Sequence, residues 1–340
     1  MAKTVISQKL PPDIDPTKAP LAYGDRALPR LNRELNDKEL ITRQRALMTL
    51  CDYLHDPEHI AEALRVGVAE SLKKLLSDKD PTVRHKTTEV LYVIATHNKG
   101  RDAFLDYGII VPLSKLFDDS VDLARKNAHM AMEMMSEIPY GAAGVVEAQL
   151  VPKLVGKLRD ELNEIKELIL DTLHFCLRVE TMHALVAGAM EVFTELLGHN
   201  QAMIRAKAAR DIMDLSVPLD GKNKACEVKA LPPLVGLLKD GDTYVRSMAA
   251  GAIATITITT QGKYLALEAG AIPHLVELVE DKNSEVRLNS LKALTTLSEA
   301  PEGRKELLNH VDLIRKRMED ESEAVVKAAT IAVRVITWKP

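Results

Sequence analysis

The chain has 340 residues, of which 46% are hydrophobic and 4% aromatic, and its formal net charge is −4. This slightly acidic balance argues against a general nucleic-acid or membrane-surface binder, because phosphate contacts require a basic excess. Length alone would suggest two or three domains.

The first 27 residues differ in composition from the rest. Pro11, Pro12, Pro16 and Pro20 interrupt a polar stretch that cannot be helical throughout. We therefore predict an N-terminal extension over residues 1–27. It is either a disordered tail or a docking arm that orders on a partner.

From residue 28 a unit of about 41 residues recurs, marked by one basic position: Arg43, Arg84, Arg125, Lys166, Arg205, Arg246, Arg287 and Lys327. Six residues before each stand Asp37, Asp78, Asp119, Asp160, His199, Asp240, Asp281 and Glu321, so seven of the eight are acidic. A fixed period of this length is typical of a solenoid, whose units bury their apolar faces against one another. We predict a single array over residues 28–338.

Each unit contains three helical patterns. In "EAGAIPHLVELVEDKNSEVRLNSLKALTTLS" a helix of about two turns precedes a polar turn and a longer helix that opens near the basic residue. A shorter helix ends before it, near a glycine that stands 17 residues ahead of the basic position: Gly67, Gly108, Gly188 and Gly270. Glycine there suits a chain reversal at a helix end.

Three helices per unit of about 41 residues resemble the armadillo repeat. The resemblance implies an all-α, right-handed superhelical solenoid of about eight three-helix repeats. It also implies a concave groove lined by the third helices, where partner segments bind.

The recurring acidic and basic residues are interpreted as scaffold, because a functional charge pair has no need to recur in every unit. An Asp before the third helix and a base near its start would fix the turn and link neighbouring units, and the Asp can also cap the helix. Exposed pairs of this kind contribute about 0–1 kcal/mol each. The structural ladder comprises Asp78, Arg84, Asp119, Arg125, Asp160, Lys166, Asp240, Arg246, Asp281 and Arg287.

No motif of catalysis or cofactor binding stands out, so we expect no enzyme, no cofactor, no metal and no small-molecule substrate. The best metal-like cluster, Asp52, His55 and His59, has no settled ligand spacing and is interpreted as an inter-helix loop. Three unrelated cysteines are expected to be reduced and packed. Without a signal peptide or membrane-spanning stretch, we place the chain in a cytosol-continuous compartment.

The groove positions are those five and nine residues after each basic residue, opposite the core face. The predicted partner-binding groove consists of Met48, Val93, Met130, Met134, Asp171, Phe175, Arg210 and Asp214, and the same rule selects Ala332 and Ile336 in the last unit. Nuclear-import adaptors carry Trp and Asn there, and this chain has neither at any of the sixteen positions. Its apolar centre, Val93, Met130, Met134 and Phe175, favours an amphipathic partner helix. The other interpretation is a Met-rich core helix.

Residues 10–37, "LPPDIDPTKAPLAYGDRALPRLNRELND", and residues 59–105 resemble the radial spoke head 14 family, and the similarity extends over essentially the whole chain. The resemblance implies a non-enzymatic structural subunit of the radial spokes of motile cilia and flagella, located in the cytoplasm, the cytoskeleton and the axoneme. Its partners would be other radial spoke subunits, including a spoke scaffold protein, with no nucleic acid and no membrane. A soluble cytoplasmic armadillo adaptor for peptide segments in signalling or transport is the alternative.

Overall fold

The structure, a computed structural model, describes residues 27–338. Within this range all regular elements are helical and no strand occurs, which confirms the prediction of an all-α repeat fold. The extension predicted over residues 1–27 lies outside the described residues except for Ala27, the first residue of the first helix. None of the helices in residues 27–338 is both long and apolar enough to cross a membrane.

The chain divides into two compact units between Met135 and Ser136, and each is described by itself. The first unit contains two complete three-helix repeats after an initial helix pair. Its helices are α1 (Ala27–Leu35), α2 (Leu40–Tyr53), α3 (Pro57–Arg65), α4 (Val68–Leu75), α5 (Pro81–Ala95), α6 (Asn98–Asp106), α7 (Ile110–Ser114), which continues as a 3-10 helix (Lys115–Asp118), and α8 (Asp122–Ser136).

The second unit contains five three-helix repeats among the described residues. Its helices are α9 (Pro139–Glu147), α10 (Val151–Lys157), α11 (Asn163–Leu177), α12 (Met182–Val186), α13 (Ala189–Leu196), α14 (Ala202–Leu215), α15 (Leu219–Glu227), α16 (Leu231–Leu237), α17 (Thr243–Ile256), α18 (Thr260–Glu268), α19 (Ala271–Leu278), α20 (Ser284–Leu297), α21 (Pro301–Leu307), α22 (Val311–Lys316) and α23 (Glu323–Ile336). Short 3-10 helices (Leu308–His310 and Arg317–Glu319) follow α21 and α22.

The repeat α18–α20 shows how local sequence sets the helix boundaries. The Thr259 hydroxyl accepts a hydrogen bond from the Gly262 N–H at the start of α18, and the Asn283 side chain accepts from two N–H groups at the start of α20. Such caps satisfy donors that have no partner inside the helix. Between α18 and α19 the chain reverses at Gly270, whose φ is 72°.

The left-handed reversal recurs in repeats that lack the glycine. Gln149 and Lys229 occupy the same place between the first and second helices and have φ of 57° and 58°. Side chains with a Cβ are disfavoured in this region by about 1–2 kcal/mol. The packing of the repeat therefore imposes the left-handed backbone at this position, even where the residue is not glycine.

A second glycine position brings the first helix of a repeat against the end of the preceding long helix. A Cβ added to Gly221 would lie 1.7 Å from the Leu215 carbonyl oxygen, and one added to Gly262 would lie 2.4 Å from that of Ile256. The basic residue that follows binds carbonyls at the same helix end, as Lys263 does with Ile258 O at 3.2 Å. Glycine is required here because the backbones touch. This close approach to a backbone carbonyl is seen at Gly100, Gly221, Gly262 and Gly303.

The long third helices of the second unit pack side by side and bury their apolar faces. Ile212 of α14, Ile253 of α17 and Leu294 of α20 are fully buried. Burying each such side chain contributes roughly 1.5–3 kcal/mol. Adjacent third helices α14, α17, α20 and α23 are in direct contact, so their exposed faces form neighbouring strips of surface.

The last repeat is shifted by one residue from the predicted register. The Val326 N–H donates to Ser322 O at the start of α23, as the Arg287 N–H donates to Asn283 O at the start of α20. Val326 rather than Lys327 thus occupies the basic position. The positions five and nine residues on are Ile331 and Val335, so the prediction of Ala332 and Ile336 as groove residues is wrong: both are fully buried.

Candidate functional site

The arginines of the ladder join three chain segments. Arg84 donates from one terminal nitrogen to the carbonyl oxygens of Asp78 and Lys79, which lie in the turn of its own repeat. Its Nε lies 2.5 Å from Asp119 Oδ2, in the turn of the next repeat. The charge pair is therefore between repeats, 35 residues apart, while the pairing within a repeat goes through backbone carbonyls.

Each carboxylate also organises its own turn. Asp119 Oδ1 accepts the Val121 N–H at 2.9 Å, which closes the turn before α8. Burial opposes ionisation, but the hydrogen bonds from Arg84 and Val121 hold the pKa of Asp119 below its usual range. Since Asp119 is almost fully buried and Arg84 largely so, this pair is better shielded from water than a typical surface pair.

The same contact recurs along both units. Asp281 accepts from Arg246, and Arg287 reaches the backbone oxygen of Asp281 at 2.9 Å rather than its carboxylate. Arg287 binds Asp320 at 2.6 Å, so Asp320, not Glu321, is the acid of the last repeat. Inter-repeat pairs of this kind are Arg43–Asp78 at 3.1 Å, Arg84–Asp119 at 2.5 Å, Arg205–Asp240 at 2.7 Å, Arg246–Asp281 at 2.7 Å and Arg287–Asp320 at 2.6 Å.

Two ladder residues in the middle of the chain make contacts within their own repeats. Arg125 contacts Asp119 O and Asp122 Oδ1, both at 2.9 Å. Lys166 reaches Arg159 O at 3.4 Å, close to Asp160, whose N–H donates to the Lys157 carbonyl oxygen.

The acid position that would face Lys166 holds His199. Its Nδ1 accepts the Gln201 N–H at 3.1 Å, so the ring takes over the turn-closing role of the Asp. Burial and the charges of Lys166 and Arg205 lower the pKa of His199. A neutral imidazole cannot replace the inter-repeat charge pair, so this rung of the ladder is missing.

In the first unit the predicted groove positions offer a limited apolar surface. Met48 is 45% exposed and Met130 and Met134 are half-buried, whereas Val93 is only 5% exposed. Thioether side chains adapt to varied partners. Met48, Met130 and Met134 therefore remain available to a partner, and Val93 belongs mainly to the core.

In the second unit the predicted positions carry a charged network instead. Arg210 binds Asp171 at 2.9 Å and Asp211 at 3.0 Å, and Lys207 binds Asp171 at 2.5 Å. Phe175, half-buried, lies beside this network, with its ring 5.2 Å from that of His174.

Two further residues extend the network. His174 Nδ1 lies 2.6 Å from Asp214 Oδ2. Asp211 is fully buried, and burial raises the pKa of its carboxyl well above the usual range despite the attraction of Arg210. Potential ligand atoms of His174, Asp211 and Asp214 all lie within 4.8 Å of one another. Asp214 is among the groove residues predicted from the sequence, whereas His174 and Asp211 are not.

The metal-like cluster considered in the sequence, Asp52, His55 and His59, has a different arrangement. His59 stacks on Tyr53 with ring centroids 3.7 Å apart, and its Nδ1 contacts Tyr53 O at 3.0 Å. His59 therefore packs α3 against the end of α2 through these contacts with Tyr53.

An apolar groove lies across α17, α20 and α23. Its cavity volume is about 610 Å³, and Ile258 and Ile331 are 57% and 46% exposed. The exposed ammonium-bearing side chains of Lys292 and Lys327 belong to its lining. The rule of five and nine residues selects Thr255, Lys292 and Thr296 of this lining. It misses Ile331, because the register error selects buried Ala332 instead, and it misses Ile258 and Leu288, which stand at other positions of the repeat.

Comparisons with known proteins agree with a helical-repeat fold. A family model described as non-SMC mitotic condensation complex subunit 1 (Cnd1) matches residues 203–337, less than half of the chain. An engineered protein solved by the Northeast Structural Genomics Consortium is 24% identical, with a TM-score of 0.85 over 91% of this chain and 78% of that one. A designed armadillo repeat protein is 25% identical, with a TM-score of 0.46 over 79% of this chain and 99% of that one. The first structure shows that the fold is shared.

Proposed function

We propose that this chain is a non-enzymatic docking subunit and that its assembly is the axonemal radial spoke of motile cilia and flagella. The observation that carries the docking part is the apolar groove across α17, α20 and α23. A repeat scaffold presents such a strip because neighbouring third helices expose equivalent positions side by side.

The lining of the groove indicates what it binds. Ile258, Leu288 and Ile331 supply apolar contact, while Lys292 and Lys327 add positive charge. An amphipathic helix places apolar residues at i, i+3, i+4 and i+7 and fits a groove of this kind. We infer that the occupant is a partner helix with acidic residues flanking its apolar face, since complementary charge favours encounter and register.

The radial spoke part rests on the sequence. Residues 10–37 and 59–105 resemble the radial spoke head 14 family, and a spoke needs subunits that hold others in place without chemistry of their own. In that setting a spoke scaffold protein supplies the acidic helix, and other spoke subunits contact the remaining surface. Assembly surfaces of this kind require buried area rather than perturbed catalytic groups.

The test uses the tagged full chain expressed in a ciliated cell that lacks the endogenous protein. Cilia are demembranated with detergent, extracted at moderate salt, and cross-linked before mass spectrometry. Ile331→Asp places a charge in the groove, and Val186→Asp, at an 82% exposed position outside it, is the matched control. The two variants are first compared by circular dichroism.

We expect the wild type and Val186→Asp to stay with the axoneme and to cross-link near α23 to an acidic helix of a spoke subunit. Ile331→Asp should lose most of that cross-link. Release of the wild type into the detergent fraction would contradict the spoke assignment and favour a cytoplasmic adaptor. Retention with unchanged cross-links in Ile331→Asp would contradict the groove assignment.

A further inference from the structure

One residue of the charged network departs from the repeat pattern. Asp211 stands six residues after the basic position, where the other repeats carry small or apolar side chains, all buried: Thr49, Val90, Ala131, Thr172, Ala252, Ala293 and Ala332. The fold thus places no demand for a carboxylate at this position. A buried acid costs free energy unless it is fully compensated.

The compensation of Asp211 is incomplete. Its Oδ1 lies 3.0 Å from the Arg210 guanidinium. Its Oδ2 is buried and has no hydrogen-bond partner among the residues that the structure describes. A carboxylate oxygen left in this way calls for a ligand, because carboxylates accept several hydrogen bonds or coordinate metals when they are buried.

His174 and Asp214 complete a candidate ligand set around Asp211. His174 comes from α11, and Asp211 and Asp214 lie three residues apart on one face of α14. Their potential ligand atoms fall within 4.8 Å of one another. Ligand atoms at about 2.0–2.2 Å from one tetrahedral metal ion are roughly 3.3–3.6 Å apart. The set therefore closes if separations at the 4.8 Å limit shorten by about 1 Å and the direct contact of His174 Nδ1 with Asp214 Oδ2, at 2.6 Å, opens to admit the ion.

Charge and access also suit a cation. Asp214 lines a cavity of about 590 Å³ beside α12, together with Glu180 and Pro218. His174 and Asp214 keep partial exposure, 21% and 14% of their side chains. Four carboxylates face the ammonium of Lys207 and the guanidinium of Arg210 in the contact network, which leaves a negative excess if all ionise: Glu167, Asp171, Asp211 and Asp214.

We propose that His174, Asp211 and Asp214 form a binding site for a divalent transition-metal cation of the Zn²⁺ class. One imidazole nitrogen and two carboxylate oxygens are ligands that Zn²⁺ accepts, and they leave a fourth position open toward the cavity. An all-oxygen cation such as Mg²⁺ or Ca²⁺ fits less well, since it prefers more oxygen ligands and no imidazole. The site is independent of the docking groove at α17, α20 and α23.

The test uses the full chain after treatment with EDTA. ZnCl₂ and, separately, MgCl₂ are titrated by calorimetry, and CoCl₂ is followed by its visible absorption, which is intense for four-coordinate sites. Asp211→Asn keeps the shape and the contact to Arg210, and His174→Gln removes the imidazole. Asp220→Asn, an exposed acid in the first turn of α15, is the matched control.

We expect one equivalent of Zn²⁺ to bind with micromolar or tighter Kd and Mg²⁺ to bind at least a hundredfold more weakly. Asp211→Asn and His174→Gln should each weaken Zn²⁺ binding at least tenfold, with Asp220→Asn within twofold of wild type. If Asp211→Asn does not fold, His174→Gln and the Co²⁺ spectrum decide. No saturable binding, or equal weakening by Asp220→Asn, would overturn the site.

Discussion

The glycine at the contact between a long helix and the next repeat gives a sharp test of the packing. Gly221 does not have a left-handed backbone, so alanine is conformationally allowed. An added Cβ would nevertheless lie 1.7 Å from the Leu215 carbonyl oxygen and 2.7 Å from its carbon. Ordinary C···O contacts are about 3.3 Å or longer, so the helices must move apart by roughly 1.5 Å.

The magnitude follows from two opposing effects. Replacing glycine by alanine inside a helix stabilises by about 1 kcal/mol. Overpacking at a rigid contact costs about 1–3 kcal/mol, and here the obstacle is backbone, which cannot rotate away. We expect Gly221→Ala to destabilise by about 2 kcal/mol net.

Gly236→Ala is the matched control, because Gly236 lies in α16 of the same repeat and a Cβ there meets nothing within 4 Å. Urea unfolding of the full chain, followed by far-ultraviolet circular dichroism, measures both variants. The midpoint should fall by roughly 0.5 M or more for Gly221→Ala and rise slightly for Gly236→Ala. Equal stabilisation by both substitutions would refute the close contact.

Three further predictions concern other parts of the scaffold. Lys229→Gly should raise the free energy of unfolding by about 1 kcal/mol in urea, because the left-handed backbone at Lys229 strains a side chain. The hydrogen bond from Arg287 lowers the pKa of Asp320, so the stabilisation exists above the unfolded-state pKa of about 4 and is lost as pH falls through the native pKa. Asp320→Asn should therefore be less stable than wild type at neutral pH, with a difference that shrinks below about pH 4, as urea midpoints across pH will show. Burial raises the pKa of the Cys51 and Cys176 thiols to about 12, so iodoacetamide at about pH 8 should leave both unmodified in the folded chain and alkylate both in urea, as judged by mass spectrometry.

The sequence was sufficient to predict the repeat because every unit solves the same packing problem. The glycines at Gly67 and Gly270 and the ladder residues recur at fixed spacing, so their columns are visible in one chain. The recurring spacing does not show which carboxylate each ladder arginine binds. A spacing of six residues drew attention to Asp281 and Arg287, whereas the carboxylate that Arg246 binds is the one 35 residues further on.

Ile331 of the apolar groove was not predicted, because the register assigned to the last repeat from the sequence is wrong by one residue. Val326 occupies the basic position of the last repeat, and the neighbouring Lys327 imitates that base in the sequence pattern. A one-residue shift rotates a helical position by about 100°, which exchanges exposed Ile331 for buried Ala332. The acid column held the missing signal, since Asp320 restores the six-residue spacing to Val326.

Residues that depart from the repeat pattern indicate where a binding site lies, which the recurring residues cannot do. The unit α12–α14 carries His199 in place of the ladder acid and Asp211 in place of a small or apolar core residue. A packing role has to recur because each repeat contacts only its neighbours, while a binding role needs one copy. The concentration of exceptions in α12–α14 is therefore better explained by a site than by drift of the scaffold, and Asp211, the exception that costs most to bury, is where that site is centred.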